Sequence, residues 1–210
     1  AIRIFKGYDS NWFSKVTPSN IDFFRKNTET TIVCLAANYL KVKGIEYFIE
    51  ATHYIPKDEN ITLLLIGDMR ENSDSIDKLI DKSPLKDKIH ALGFKSNPVS
   101  IFKSADVYVQ TSNREGFGRA ISEAMCSGKP IIMTDAGGCT ELIDAKSGII
   151  VPKKNPKEIA RAILKLARNK KLRESMGRES LNRINNNFHI ERTIQETLTL
   201  YKTLYKQVKS

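Results

Sequence analysis

From residue 30 onward, short uninterrupted apolar runs alternate with amphipathic stretches. TIVCLAA (31–37), ITLLLIGD (61–68), KIHALGF (88–94), ADVYVQTS (105–112), PIIMTD (130–135) and GIIVP (148–152) read as buried strands. Between them, GIEYFIEATHYI (44–55) has helical periodicity, and further helices are expected near 73–83, 97–104 and 138–143 and within REGFGRAISEAMCSGKP (114–130). Strands that are apolar throughout, rather than alternating, belong to a parallel sheet covered on both faces. The pattern predicts an α/β fold with a doubly wound, Rossmann-like parallel sheet. Beyond Pro152 the texture becomes helical, with a break expected near Asn185–Phe188, so a helical C-terminal extension follows the sheet. Residues 1–29 open with a short AIRIF strand and continue as a polar, turn-rich lead-in.

With 40% hydrophobic residues, the 210-residue chain can bury one sizeable core. No apolar run approaches the roughly 18 residues of a membrane span, and no secretory signal is expected. Three cysteines, widely spaced and odd in number, argue against a disulfide framework and for a reducing, cytoplasmic setting. No CxxC occurs and the three histidines are scattered, which predicts no metal site. The net charge of +10 is concentrated toward the helical tail and reads first as a solvated basic surface. Without a zinc finger, basic zipper or aromatic-interleaved basic patch, no nucleic-acid partner is expected.

Candidate chemistry centres on Glu115 and Glu123, separated by seven residues that include Gly116 and Gly118. Glu115 directly follows a strand, at the rim where open α/β sheets bind ligands. The N–H groups of Phe117, Gly118 and Arg119 are expected to be free at the helix start, a ready site for an anion or hydroxyl. Ala120, Ile121, Ala124 and Met125 form the packing stripe, with Gly128 as C-cap, which places Glu123 on the flank of the stripe. By spacing alone, an exposed helix glutamate and an unrelated loop glutamate would look the same.

EGFGRAISEAMCSGKPIIMTDAGGCTELI resembles the E-x7-E signature of the retaining glycosyltransferases of family 4. KVKGIEYFIEA resembles that family's Lys-Gly helix start, and LLLIGD, IHALGF, SADVYVQTS and SGIIVP follow in its order and spacing. FKGYDSNWF resembles the linker between the family's two Rossmann-like domains, the GT-B architecture. The resemblance implies that residues 1–29 lead in from an N-terminal acceptor domain, 30–168 form the donor-binding domain, and helices of 169–210 pack back toward the N-terminal domain.

It further implies a metal-independent transferase of hexosyltransferase type, acting on a UDP- or GDP-type nucleotide sugar with no cofactor. Glu123 would accept hydrogen bonds from ribose hydroxyls, since a carboxylate offers two oxygens to a vicinal diol. Glu115 would contact the transferred sugar, and the 117–119 amides its hydroxyls and the β-phosphate. Lys43 would neutralise the diphosphate leaving group. Glu115 and Lys43 are thus the expected catalytic residues. Gly93 and Phe94 would meet the base, and Thr111 and Ser112 the rim near the phosphates. Cys126 is expected to pack in the core, and Gly137–Gly138 to shape a tight turn.

The family's Gly-Arg pair is replaced by Ala37–Asn38, and the alternative Arg position is Leu40, so Lys41 or Asn38 is expected to compensate. The acceptor would be a glycan or lipid-linked sugar, as in polysaccharide biosynthesis, with a basic surface suited to peripheral association at the cytoplasmic membrane face. Residues 1–210 alone are expected not to transfer sugar, because the acceptor wall of the cleft lies in the other domain. Two other readings are a non-catalytic nucleotide-sugar-binding subunit and a sugar-nucleotide epimerase of the same fold.

Overall fold

A computed structural model describes residues 2–68 and 72–209. Among them, β1 (Thr31–Ala36), β2 (Ile61–Ile66), β3 (Ile89–Ala91), β4 (Val107–Gln110), β5 (Ile131–Thr134) and β6 (Gly148–Val151) form one parallel sheet in the order β3-β2-β1-β4-β5-β6. The helices are α1 (Ser10–Ser14), α2 (Ile45–Glu50), α3 (Ser73–Lys82), α4 (Pro98–Ser104), α5 (Arg119–Cys126), α6 (Pro156–Ala167), α7 (Lys170–Asn187) and α8 (Ile190–Lys209).

The period-two geometry of a strand explains the uninterrupted apolar runs. In β1, Ile32 and Cys34 point to one face, with Leu64, Tyr108 and Met133, beneath Phe102, Ile121 and Met125 of α4 and α5. Val33 and Leu35 point to the other, with Leu63, Leu65 and Val109, beneath Phe48 and Ile49 of α2 and Ile163 of α6. Both faces are buried, so neither set of alternate positions can be polar.

Local capping chemistry sets the helix starts in the tail. The Asn155 side chain accepts from Glu158 N at 3.2 Å ahead of Pro156, and Asn169 accepts from Leu172 N at 3.0 Å. The helical break falls at Phe188–His189, between α7 and α8. On α8, Ile194, Leu198, Tyr201, Leu204 and Tyr205 leave much of their surface in solvent. No described helix is long and apolar enough to cross a membrane.

Some expectations are corrected. Residues 2–7 form no strand; Ala1 lies outside the described residues. The segment lies against the α7–α8 junction instead: Phe5 O accepts from Thr193 Oγ1 at 2.8 Å, and Tyr8, which follows the segment, donates its N–H to Phe188 O at 2.8 Å and accepts from Ile190 N at 3.1 Å. The helix expected over 44–55 is α2 followed by a 3-10 segment, Ala51–Tyr54, and that expected over 138–143 is a 3-10 segment, Gly138–Leu142. KIHALGF and ADVYVQTS supply strands of three and four residues, because their C-terminal ends leave the ladder to form the rim.

Candidate functional site

The strand order reverses between β1 and β4, which makes the crevice beyond their carboxyl ends the topological switch point. A cleft of about 250 Å³ lies there, lined by residues from the loops after β1, β2, β3 and β4 and by the start of α5. Glu115, Glu123 and Lys43 all line it.

Lys43 ends a 3-10 turn, Lys41–Lys43, closed by Gly44 at φ 61°. A Cβ on Gly44 would meet Thr111 O at 2.2 Å, so only glycine lets this turn lie against the β4 exit. Asn113 stitches the two loops together: its N–H donates to Val42 O at 2.8 Å and its Nδ2 to Lys41 O at 3.2 Å. Behind Glu115, its N–H donates to Ala136 O at 2.8 Å. A Cβ on Gly138 would come within 2.6 Å of Gly116 O, so the 137–138 pair serves close packing under the glutamate loop.

This scaffold brings Lys43 Nζ to 2.9 Å from Glu115 Oε2, across a sequence separation of 72 residues. The side chains keep 26% and 15% of their exposure, so the pair is shielded from solvent but open to the cleft. Ser112 Oγ donates to the same oxygen at 3.3 Å, while Glu115 Oε1 has no partner among the described residues. The amides of Phe117, Gly118 and Arg119 make no hydrogen bond among the described residues. The Phe117 ring turns away from them into an aromatic cluster with Phe5, Tyr8 and Phe188, which anchors the loop from behind.

Glu123 is partly buried, and Arg119 Nε lies 3.4 Å from its Oε1. Burial raises its pKa above the usual carboxylate value, against the pull of Arg119 and Lys6. A carboxyl raised on folding costs nothing below its unfolded pKa, where both states are protonated; the cost to stability appears as pH rises through the folded pKa. Glu123→Gln is therefore expected to raise Tm at neutral pH and to match wild type below the ordinary carboxylate range. Thermal melts at the two pH values check this, and equal shifts at both would exclude burial as the cause.

The remaining expected residues divide. Asn38 lines the cleft and its Oδ1 accepts from Asp68 N at 3.3 Å. Lys41 is exposed and lies outside the lining; Lys95, which the sequence reading passed over, lines it instead. Its signal was present in the basic residue that directly follows Gly93–Phe94. Phe94 stands 71% exposed at the rim, with Gly93 at φ 67° turning the chain toward it. Thr111 and Ser112 are fully buried, with hydroxyls directed to Lys43 O and Glu115 rather than to the open cleft. Gln110, another cleft-lining residue, was also missed. Burial pushes the thiols of Cys34 and Cys126 up to about 12 and that of Cys139 to about 11, so none is a ready thiolate. The described residues contain no group of three or more His, Cys, Asp or Glu that could hold a metal ion.

The family model for glycosyl transferases group 1 matches residues 17–183. The capsular polysaccharide biosynthesis glycosyltransferase CapM of Staphylococcus aureus is 30% identical over 182 residues, covering 84% of this chain and 47% of that protein. An uncharacterized glycosyltransferase of Methanocaldococcus jannaschii is 31% identical over 84% of this chain and 45% of its own length. The chain thus spans about half the length of the curated relatives it matches. Among solved structures, the C-terminal domain of the group 1 glycosyl transferase LpcC from Francisella tularensis superposes with a TM-score of 0.74 at 26% identity, over 88% of this chain and all of that one. HepE of Anabaena, solved with UDP-glucose, shares the fold with a TM-score of 0.84 at 24% identity, over 95% of this chain and 57% of its own.

Proposed function

This chain belongs to the group 1 glycosyl transferases, and on that basis we propose that its cleft binds the nucleoside diphosphate sugar donor of a retaining glycosyl transfer. The observation that carries the proposal is the Lys43–Glu115 pair at 2.9 Å, held at the switch point with Glu123 in the same cleft. Glu123 takes the ribose hydroxyls through its two oxygens. Glu115 keeps Oε1 for the sugar, near the carbon that reacts. Lys43 faces the diphosphate, where a cation counts most because negative charge grows on the leaving group in the transition state. The open amides of residues 117–119 and the start of α5 add further donors for phosphate or sugar oxygens.

Lys95 supplies the second positive charge in place of the family's arginine, since it lines the cleft and Lys41 does not. The acceptor is a glycan or lipid-linked sugar that enters from a second domain, such as the one the longer relatives have room for. The exposed apolar side chains of α8 support a contact with such a domain. The reaction needs no metal, and the phosphate charge falls to Lys43 and Lys95.

The expected result is that the chain binds at least one of UDP, GDP and ADP with EDTA present. Isothermal calorimetry checks it; no binding to any of the three would overturn the donor assignment. Which nucleotide wins identifies the base that Gly93 and Phe94 accept.

A further inference from the structure

Tyr108, Gln110 and Ser112 occupy alternate positions along β4 and its exit, so the strand period turns all three to the same side of the sheet. That side is otherwise apolar, with Cys34, Leu64, Phe102 and Met133 around them. All three are buried, yet each is satisfied by the next. Tyr108 OH lies 2.6 Å from Gln110 Oε1, Gln110 Nε2 lies 2.8 Å from Ser112 Oγ, and Ser112 Oγ lies 3.3 Å from Glu115 Oε2.

The direction of this chain is set by its end. An ionised carboxylate can only accept, so Ser112 must donate to Glu115. Its oxygen is then left to accept from the Gln110 amide, which turns Gln110 Oε1 toward Tyr108; the Tyr108 hydroxyl donates to it at 2.6 Å, with Ala36 O the more distant acceptor at 3.3 Å. Every proton points toward Glu115. Three buried polar side chains in an apolar layer are costly unless fully connected, and an aliphatic residue at 110 would fill the same space without them.

We infer that Tyr108 and Gln110 are positioning residues for Glu115: they fix the Ser112 hydroxyl as a donor to Oε2, so that Oε2 is shared between Ser112 and Lys43 and Oε1 is left for the transferred sugar. The inference rests on the donor reading above. Neither side chain is assigned a contact with the nucleotide.

The test uses the 210-residue chain, with UDP and UDP-glucose as probes in calorimetry. Gln110 borders the cleft but spends both amide atoms on Tyr108 and Ser112, so Gln110→Leu is expected to leave UDP affinity within about twofold of wild type. The extra affinity conferred by glucose should fall about three- to tenfold, the value of one hydrogen bond. Tyr108→Phe, the gentler variant if Gln110→Leu fails to fold, is expected to lower the same increment by about two- to threefold. In a Glu115→Ala background neither substitution should cost anything further, because both act through that carboxylate. An unchanged glucose increment in both variants, or losses that add to those of Glu115→Ala, would overturn the inference.

If wild-type protein binds no nucleoside diphosphate, the donor reading falls by itself, and a second readout decides the relay. Gln110→Leu and Glu115→Gln should be coupled at least fivefold in the unfolding equilibrium constant, and the coupling should vanish in a Ser112→Ala background. Independent effects would refute it.

Discussion

Glu123→Ala is expected to weaken UDP and UDP-glucose binding by the same factor, roughly ten- to a hundredfold, the value of a lost charged hydrogen bond. The factor is common to both ligands because ribose is common to both. Glu115→Ala should behave differently. Its free oxygen is assigned to the sugar, so plain UDP should bind near wild type and only the increment due to glucose should disappear. In an active enzyme the same substitution should lower turnover more than donor affinity, since the contact lies beside the reacting carbon. Removing Glu115 also releases Lys43 from its 2.9 Å contact, so UDP affinity is expected to hold or rise modestly and not to fall. Calorimetry on both variants with both ligands decides it. Equal losses of plain UDP would refute the division of labour, and no effect at either position would refute the site.

Gly44→Ala carries the second large effect. Gly44 sits at φ 61°, and an added Cβ would fall 2.2 Å from Thr111 O, a main-chain atom that cannot rotate away. Left-handed strain in a non-glycine residue costs about 1–3 kcal/mol before any clash is relieved. Relief requires the Lys43 turn to separate from the β4 exit, which pulls apart the Lys43–Glu115 pair. At about 2–4 °C per kcal/mol for a chain of this size, Tm should fall by roughly 5–10 °C, with a concurrent loss of nucleotide affinity. Gly116→Ala is the control, since nothing lies within 4 Å of its would-be Cβ; its Tm should stay close to wild type. Melting curves and UDP titrations of the two variants test the claim. A Gly44→Ala protein that melts and binds like wild type would show that the turn is not held by this contact.

The strands, the doubly wound class and the placement of Glu115 at a rim were all legible in the sequence, because they depend on interactions short in sequence. An apolar run of four to six residues between turn signals, a glycine where φ must be positive and an Asn-Pro pair ahead of a helix act within a few residues of themselves. Even so, AIRIF has the composition of a strand and forms none, because a strand needs a free partner edge and residues 2–7 meet the α7–α8 junction instead. The cation beside Glu115 was named from a motif, but its contact depends on β1 and β4 being neighbours, which the order β3-β2-β1-β4-β5-β6 decides. Lys95 reaches the cleft on the loop after β3, whereas Lys41, on the same 3-10 turn as Lys43, stays outside the lining. Gln110 read as an ordinary residue near the end of an apolar run. Its role depends on a tyrosine before it, a serine after it and a carboxylate waiting at the end of the line. Local chemistry determines which elements form and where their turns fall; side-chain partners at the site come from loops brought together by strand order, and only the packed sheet supplies that.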